Sequence, residues 1–298
     1  MGRPRSRPLE GRVAVVTGAA RGVGEAVARG LAERGAVVAL LGHNAPALER
    51  VAKSLPVRAG WWEVDVTDDA AMERAAARVR SQLGPPSVVV ANAGIAEGGP
   101  FAESDPTTWR RVIEVNLVGS SITARSFLPD LRTTHGYYLQ IASLASMGAS
   151  PMMSAYCASK AGVESFAHAL QAEVAHQGVG VGVAYLNWTD TDMIRDADKH
   201  TVLRELRAHM PAPARKVYPV REVADRLVRA VERRSPAVYA PVWLRAVQPV
   251  RAVLPPLVTR LSRTELPRIG KHHTFDATGL LGGGGHDDTA PGPGARPG

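Results

Sequence analysis

The stretch TGAARGVG, residues 17–24, decides the fold expected for this chain of 298 residues. It follows an apolar run and leads into residues 23–31, where apolar side chains recur every four positions as on one face of a helix. Gly18, Gly22 and Gly24 allow the backbone of such a turn to approach a pyrophosphate, whose charge is stabilised by the free amides at the helix start. The stretch therefore predicts a strand, a nucleotide-binding turn and a helix.

Short apolar runs alternate with stretches of helical period through most of the chain. Because these runs are apolar throughout and are separated by helices, they predict a parallel sheet that is covered on both faces, with right-handed crossovers. The expected fold class is α/β, a doubly wound parallel sheet of Rossmann type with about seven strands in a single domain. The expected strands are residues 12–17, 37–41, 61–66, 87–91, 137–142, 179–186 and 237–240.

Composition and charge narrow the class of protein. The only cysteine, Cys157, excludes a disulfide framework and a cysteine-based metal cluster, so no metal is expected and a reducing cytoplasm is the expected compartment. The net charge of +8 arises over residues 195–271, which hold 17 Lys or Arg against 7 Asp or Glu. No recognisable nucleic-acid-binding module accompanies this basic part, so we interpret it as a solvated face and expect no nucleic-acid partner.

Candidate site residues follow the later strands at their C-terminal ends, where a parallel α/β sheet builds its binding site. Asp65 and Val66 end the third run, and Asn92, Ala93 and Gly94 follow the fourth. Each group taken alone could be an ordinary turn, so these residues gain meaning only from what lies downstream.

A serine, a tyrosine and a lysine form the most specific pattern in the chain. Tyr156 and Lys160 are four positions apart in SAYCASK and so share one face of a helix, and Ser143 follows the preceding strand. A Tyr and Lys pair at this spacing is frequent by chance and is then a surface feature. Its position downstream of both a strand-end serine and a nucleotide-binding turn makes the combination specific.

These motifs together resemble the short-chain dehydrogenase/reductase family, in its single-domain branch, over residues 9–241. The resemblance implies that Ser143, Tyr156 and Lys160 are catalytic and that Asn116 is the fourth catalytic residue. Asn116 also continues the apolar face of the preceding helix, so its amide is expected to be directed into the core, where it needs partners. A structural hydrogen bond is the alternative to the water relay that the resemblance suggests.

The expected chemistry is hydride transfer between a nicotinamide and a carbonyl carbon. The carbonyl oxygen must then gain a proton, and a phenol is a suitable acid if its pKa falls toward neutrality. The ammonium of Lys160 is expected to lower the pKa of Tyr156, while Ser143 holds the substrate oxygen. The resemblance further implies that Lys160 binds the nicotinamide ribose and that Thr191 contacts the carboxamide.

The loop after the sixth strand departs from the family pattern. Leu186 and Asn187 stand where relatives commonly have a Pro-Gly pair, which leaves the backbone path before Thr191 open. Large apolar residues nearby are candidates to wall an apolar substrate pocket or simply to pack a lid, namely Met147, Met152, Met153, Trp188, Met193 and Ile194.

The second strand ends in VALLGHN, residues 38–44, without the acid that would bind both adenosine ribose hydroxyls and favour NAD. Gly42 stands in that place, so the 2′-phosphate of NADP can enter. Arg21 can point back toward this phosphate from the glycine-rich turn, and His43 and Asn44 add hydrogen-bond donors. The expected cofactor-binding set is Gly18, Arg21, Gly22, Val23, Gly24, His43, Asn44, Asp65, Val66, Asn92, Ala93, Gly94, Tyr156, Lys160 and Thr191.

We therefore expect an oxidoreductase that prefers NADP(H) to NAD(H), interconverts a carbonyl and a secondary alcohol of an apolar small molecule, and works as a homodimer or homotetramer. One alternative is an epimerase or dehydratase on the same scaffold. Another is a non-catalytic nucleotide-sensing or scaffold protein, against which the intact set of Ser143, Tyr156 and Lys160 argues.

The regions that flank this catalytic domain, residues 9–241, differ from it in composition. Residues 1–8 are expected to form a basic flexible arm, and residues 271–298, rich in Gly and Pro, a disordered tail. Residues 242–270 form a basic amphipathic extension, in which Pro249, Pro255 and Pro256 prevent one long helix. We expect this extension to make a subunit contact or to cover the sheet edge, with peripheral membrane contact as the alternative.

Overall fold

The fold is built on one seven-stranded sheet in a computed structural model that describes residues 8–289. The sheet order is β3-β2-β1-β4-β6-β7-β8, and every adjacent pair is parallel. The strands are β1 (Val13–Thr17), β2 (Val37–Gly42), β3 (Ala59–Glu63), β4 (Pro86–Ala91), a short β5 (Ala96–Glu97), β6 (Tyr137–Ile141), β7 (Gly180–Leu186), β8 (Ala237–Ala240) and a short β9 (Leu280–Leu281).

The predicted Rossmann-type sheet is thus confirmed, with all seven strands in place. The third strand differs most from its expected bounds, because it ends at Glu63 and leaves Asp65 and Val66 in the following loop. The small antiparallel pair of β5 and β9 was not predicted.

Helices cover both faces of the sheet. They are α1 (Gly22–Glu33), α2 (Ala45–Ser54), α3 (Asp69–Leu83), α4 (Pro106–Ile113), α5 (Gly119–Thr133), α6 (Ser154–Val174), α7 (Asp192–Lys199), α8 (Thr201–Ala208), α9 (Ala212–Arg215), α10 (Val220–Arg233), α11 (Leu244–Val247), α12 (Leu254–Gly270) and α13 (Gly282–Thr289). A π-helical segment, Glu114–Val118, joins α4 to α5.

Two apolar cores lie on opposite faces of the sheet, because successive strand residues point to opposite sides. Val13 and Val15 of β1 belong to the core with α3, α5 and α6, whereas Ala14 and Val16 belong to the core with α1, α2 and α10. Full burial of a side chain such as Leu31 contributes about 1.5–3 kcal/mol to folding. These two cores fix the strand ends that carry the site.

The extension over residues 242–270 is helical but interrupted, as its prolines predicted. A 3-10 helix, Gln248–Val253, separates α11 from α12, and α12 begins with prolines in its first turn, where a missing amide costs little. Leu244 is fully buried against the core that includes α6.

The tail differs from the expected disorder over residues 271–289. Leu280 and Leu281 pair with β5, and the Gly282 amide donates to Asp196 at 2.8 Å. A Cβ on Gly282 would lie 2.6 Å from the Met193 Cα, so the glycines that argued against a packed core are what allow this close approach. Residues 290–298, and residues 1–7 of the expected N-terminal arm, lie outside the described part of the chain.

Candidate active site

The glycine-rich turn between β1 and α1 has the backbone that the sequence predicted. Gly18 and Gly22 have φ of +64° and +57°, in the left-handed region that favours glycine. A Cβ on Gly24 would lie 2.2 Å from the carbonyl oxygen of Gly18, so only glycine fits. The Asn92 side chain closes the turn from β4 by donating to the Thr17 carbonyl at 3.0 Å. The turn is therefore shaped to bring backbone amides close to a phosphate.

A cleft opens at the C-terminal ends of β1 and β4, on either side of which the chain connections run in opposite directions. This topological switch point is where open α/β sheets bind their ligands. The predicted residues that line the cleft are Gly18, Arg21, Gly22, Val23, His43, Asn44, Val66, Asn92, Ala93, Gly94, Ser143, Tyr156, Lys160 and Thr191. Gly24, Asp65 and Asn116 do not line it, and each has a different structural role.

Ser143, Tyr156 and Lys160 converge on this cleft from β6 and α6. Ser143 follows the end of β6, and its hydroxyl lies beside the phenol of Tyr156. Lys160 is one helical turn after Tyr156 and 5% exposed, and its Nζ donates to the Ile141 carbonyl at 3.2 Å. The Nζ also lies 5.7 Å from the centre of the Tyr156 ring. The spacing in SAYCASK thus brings the phenol and the ammonium into one site.

The protonation of this pair differs from the sequence expectation. Burial raises the pKa of Tyr156 to about 12, with the Ser143 hydrogen bond acting in the opposite direction. Burial likewise lowers the pKa of Lys160 to about 8. Desolvation, which disfavours the charged phenolate, is the largest influence on the pKa of Tyr156, and it opposes the lowering that the sequence predicts from the Lys160 ammonium. The phenol is therefore protonated at neutral pH.

Asn116 lies in the π-helical segment between α4 and α5 and is 1% exposed. Its Oδ1 accepts from the Ile95 amide at 2.8 Å, and its Nδ2 donates to the Ile95 carbonyl and to the Ser159 hydroxyl, both at 2.9 Å. A Cβ on Gly94 would lie 3.1 Å from Asn116 Oδ1 and 3.5 Å from Lys160 Nζ. The buried amide thus has the partners that burial demands and approaches the lysine side of the cleft.

Asp65 points away from the cleft toward α4. Its carboxylate accepts from Arg111 at 2.7 Å and from the Thr67 amide at 2.8 Å, and His43 Nε2 lies 3.6 Å away. Burial opposes ionisation of Asp65, but the hydrogen bonds from His43, Thr67 and Arg111 hold its pKa well below the usual range. This residue therefore orders the loop after β3 and orients His43 at the rim of the cleft.

The tail contributes the part of the cleft that the sequence did not predict. Asp287, on α13, makes an ion pair with Arg21, and Asn44 Nδ2 donates to its carboxylate at 3.2 and 3.3 Å. Asn44 also caps α2, since its Oδ1 accepts from the Ala47 amide at 3.0 Å. An acidic side chain from the far end of the chain thus contacts two of the residues expected to recognise the 2′-phosphate.

The loop after β7 is anchored by the residue that replaces the usual glycine. Asn187 is 8% exposed, and its Nδ2 donates to the Ala214 carbonyl at 3.1 Å, tying the loop to α9. Thr191, at the start of α7, remains in the cleft and faces Gly22, where a Cβ would lie 3.3 Å from its methyl group. The altered dipeptide therefore leaves the predicted position of Thr191 intact.

Of the residues expected to wall a substrate pocket, Met193 and Ile194 line the cleft. Met147 and Met153 are buried, Met152 borders a separate cavity, and Trp188 packs beneath Arg207. Residues that line the cleft without having been singled out as candidates are Ala20, Ile95, Val115, Ile141, Ala142, Thr189, Asp192, Leu281, Gly282, Gly283, Gly284 and Asp287. Ile95 and Ala142 follow strand ends, and this position in the sequence could have identified them as cleft residues. No local sequence pattern identifies the residues of the tail as part of the cleft.

The fold and the cleft together define a class, that of α/β enzymes which bind a dinucleotide at the switch point of a parallel sheet and hold a tyrosine and a lysine beside it. A model of the family described as short chain dehydrogenase matches residues 12–201, and the chain belongs to that family. It is accordingly an oxidoreductase of the short-chain dehydrogenase type, acting on alcohol groups with a nicotinamide nucleotide.

Several known proteins are similar to the chain. It is 35% identical over 226 residues to the cis-4-hydroxycyclohexanecarboxylate dehydrogenase of Sinomonas cyclohexanicum, a match that covers 74% of this chain and 85% of the relative. It is 33% identical over 194 residues to the 2,3-dihydro-2,3-dihydroxybenzoate dehydrogenase of Bacillus subtilis, with 63% and 74% covered. The crystal structure of L-sorbose reductase from Gluconobacter frateurii, complexed with NADPH and L-sorbose, shares the fold with a TM-score of 0.71 at 24% identity, covering 78% of this chain and 95% of that one.

Proposed function

We propose that the protein is an NADP(H)-dependent oxidoreductase that interconverts a carbonyl and a secondary alcohol, with Tyr156 as the general acid and base. The observation that carries this proposal is the convergence of Ser143, Tyr156 and Lys160 on the cleft that also contains the glycine-rich turn. An acid, an oxygen-binding hydroxyl and a nucleotide turn in one cleft are the parts that carbonyl reduction requires.

The geometry supports a sequence of roles for this chain's own residues. Bound NADPH supplies the hydride. The Ser143 hydroxyl, which contacts the Tyr156 phenol, holds the carbonyl oxygen, and Tyr156 donates its proton to that oxygen as charge develops. A protonated phenol is the form required to donate a proton in reduction, and burial raises the pKa of Tyr156.

Lys160 and Asn116 support this step from the inner side of the cleft. The buried Lys160 ammonium favours the phenolate that forms when the proton leaves Tyr156. It would also bind the nicotinamide ribose, as the family resemblance implies. Asn116 fixes the backbone at Ile95 and Ser159, and its Oδ1 approaches the same point as the lysine Nζ, consistent with proton relay through water. Thr191 contacts the carboxamide.

The turn residues and the strand ends hold the cofactor. The tight approach at Gly24 is the cradle that a pyrophosphate requires, because any side chain there would fill it. The other residues in this set are Gly18, Gly22, Val23, Val66, Asn92, Ala93 and Gly94, which line the cleft. Asp65 belongs to the set indirectly, since its contacts with Arg111 and Thr67 position the loop beneath Val66.

The preference for NADP(H) rests on the end of β2. Gly42 presents no carboxylate to the cleft, and Arg21, His43 and Asn44 surround the space beside it with donors. A Cβ on Gly42 would lie 3.7 Å from its nearest atom, Leu48 Cδ2. The absence of an acidic residue at this position is therefore not explained by a steric clash at the Cβ. A phosphate at this point would be bound by charge-assisted hydrogen bonds.

An apolar substrate is supported by the side chains near Tyr156. Ile95, Leu186, Met193 and Ile194 line the cleft beside the catalytic residues. The names of the two bacterial relatives above indicate cyclic substrates with hydroxyl groups. Cyclic secondary alcohols and the corresponding ketones therefore head the proposed substrate class. The proposal includes a homodimer or homotetramer, which light scattering of the purified protein measures.

The deciding experiment is turnover on a panel of cyclic and linear ketones and alcohols, followed by nicotinamide absorbance with each cofactor in turn. We expect reduction of an apolar ketone with NADPH, at a higher kcat/KM than with NADH. Product formation without net cofactor turnover would point instead to an epimerase or dehydratase. No reaction across the panel, together with tight cofactor binding, would favour a nucleotide-sensing protein.

A further inference from the structure

Exposed aliphatic side chains are concentrated in the extension over residues 242–270. Among residues 8–287, eight large apolar side chains are exposed, and five of them lie in this short segment: Val242, Val250, Val253, Leu257 and Leu261, which are 54, 52, 61, 48 and 52% exposed. Scattered single apolar residues are normal on a protein surface, but a local cluster is not. The cluster therefore marks this segment as a candidate binding surface.

The last four of these residues form one stripe, which we call the aliphatic stripe. Leu257 and Leu261 are four positions apart on α12, and Val253 and Val250 continue the spacing into the preceding 3-10 helix. Side chains at this spacing lie above one another on one side of a helical segment. The stripe thus presents a continuous apolar ridge to the outside.

The opposite side of the extension is firmly attached to the catalytic domain. Arg251 makes an ion pair with the buried Glu164 and donates to the Ser146 carbonyl at 3.0 Å. Leu254 packs on Gly148, where a Cβ would lie 3.1 Å from the leucine Cβ, and Ile269 is 3% exposed. These contacts fix the orientation of the extension. The apolar side chains of the stripe therefore point outward in a defined direction.

Basic residues flank the stripe. Arg245, Arg260, Arg263 and Lys271 are exposed, and the structure gives them no ion pair with any described residue. The only acid in residues 242–271 is Glu265, which is paired with Arg268 at 3.0 Å. The apolar ridge is consequently set in a field of positive charge.

We propose that the aliphatic stripe and its flanking basic residues bind the surface of an anionic lipid bilayer, so that the protein docks on a membrane without crossing it. Aliphatic side chains that enter the headgroup boundary and arginines that meet anionic lipids are the two contributions from which such interfacial helices bind. Within residues 8–289, no helix is both long and apolar enough to span a bilayer.

The charge distribution favours this partner over two others. A second copy of the chain docked through the same face would bring the two sets of arginines together, which costs free energy. Nucleic acid would satisfy the arginines, but the exposed side chains of the stripe are aliphatic and do not stack on bases as aromatic residues do. An anionic bilayer satisfies both the charge and the apolar ridge.

Flotation of the full-length protein with vesicles tests the proposal. We expect binding to vesicles of phosphatidylcholine mixed with phosphatidylglycerol, little binding to phosphatidylcholine alone, and release by high salt. Leu257→Ser combined with Leu261→Ser should weaken binding by about 10-fold or more, since it removes the apolar contribution. Arg260→Gln combined with Arg263→Gln should weaken it by about 25-fold, at roughly 5-fold per charge.

The matched control is Arg221→Gln combined with Arg229→Gln, which removes two exposed charges from α10, a helix that packs on α1. This variant should bind vesicles within about two-fold of the original protein if the surface is specific. Circular dichroism melts establish that all variants remain folded, which is expected because every substituted side chain is exposed.

Four results would overturn the proposal. The first is an absence of binding to the mixed vesicles. The second is an equal loss of binding in the α10 control, which would show that any exposed positive charge contributes equally. The third is a leucine-dependent dimer in light scattering without vesicle binding, which would assign the stripe to a contact with a second copy. The fourth is arginine-dependent binding to DNA that is indifferent to the two leucines and exceeds vesicle binding. None of these outcomes depends on the catalytic proposal, because no measurement here uses turnover.

Discussion

The two sides of the cofactor cleft are specified in different ways. On the catalytic side, Tyr156 and Lys160 lie one helical turn apart on α6, and Ser143 follows the adjacent strand. On the adenosine side, Arg21 meets Asp287, which is 266 residues away in the chain. A site whose residues are close in sequence can be recognised from their spacing. A contact made by a distant glycine-rich segment cannot, because its partners are determined only by the tertiary structure.

Local periodicity accounts for what could be predicted of the fold. The strands predicted at residues 12–17 and 87–91 contain the unbroken apolar runs 13–16 and 88–91, and both are central strands buried on two faces. The sequence predicts that Gly18, Gly22 and Gly24 let the backbone of the turn approach a pyrophosphate; the structure adds the left-handed φ of Gly18 and Gly22 and the tight packing at Gly24. These features depend only on neighbours in sequence.

Side-chain environment accounts for what could not be predicted. The sequence placed an ammonium near the phenol of Tyr156, but whether attraction or desolvation decides its pKa depends on burial by surrounding elements. The sequence likewise placed Asp65 at a strand end, whereas its actual partner Arg111 comes from α4. From the sequence, the glycines of the tail predict disorder. In the structure, Gly282 packs so closely against Met193 that only glycine fits there.

Removing the phenol hydroxyl tests the catalytic side and should have the largest effect. Tyr156→Phe keeps the ring but not the proton donor, so kcat should fall by about 10²- to 10⁴-fold. The Kd for NADPH, measured by nucleotide fluorescence, should change little. Cys157→Ala is the matched control, because Cys157 is the next residue on α6 but does not line the cleft. Near-normal turnover in Tyr156→Phe would remove the tyrosine from the mechanism.

The pH dependence of turnover distinguishes the raised pKa of Tyr156 that burial favours from the lowered pKa that the sequence predicts. With a pKa of about 12, the Tyr156 phenol is protonated throughout neutral pH, so ketone reduction should be nearly flat between pH 6 and 8 as far as this group is concerned. Alcohol oxidation needs the phenolate, whose fraction rises up to about tenfold per pH unit below that pKa.

Initial rates of ketone reduction and of alcohol oxidation, measured between pH 6 and 8, test these two expectations. An oxidation rate that levels off near neutral pH would show that the pKa of Tyr156 falls in the functional complex, as the sequence predicts from the nearby ammonium of Lys160. A continued rise would support desolvation as the dominant influence.

Cofactor preference tests the adenosine side. Arg21→Ala should lower the kcat/KM ratio of NADPH to NADH by about 10- to 150-fold, mainly through KM, because a charge-assisted contact with the 2′-phosphate contributes about 1.5–3 kcal/mol. Gly42→Asp should move the ratio toward NADH, and the 3.7 Å clearance at Gly42 accommodates the added Cβ. Gly42→Ala is the control that adds the Cβ without the charge. A wild-type preference for NADH would contradict the assignment.

The smallest expected effect concerns the tail contact itself. Asp287 is bound to Arg21 and Asn44, so a 2′-phosphate must compete with its carboxylate for the same donors. Both members of the ion pair are partly exposed, at 29 and 28%, which limits its contribution to about 0.2–1 kcal/mol. Asp287→Asn should therefore tighten NADPH binding by only about 1.5- to 5-fold and leave NADH binding unchanged.

Asp276→Asn removes the same charge from an exposed position of the same segment and serves as the control. Equal tightening for NADPH and NADH would mean that the tail acts on access to the whole cleft, and weaker NADPH binding would mean that Asp287 positions Arg21 rather than competing for it.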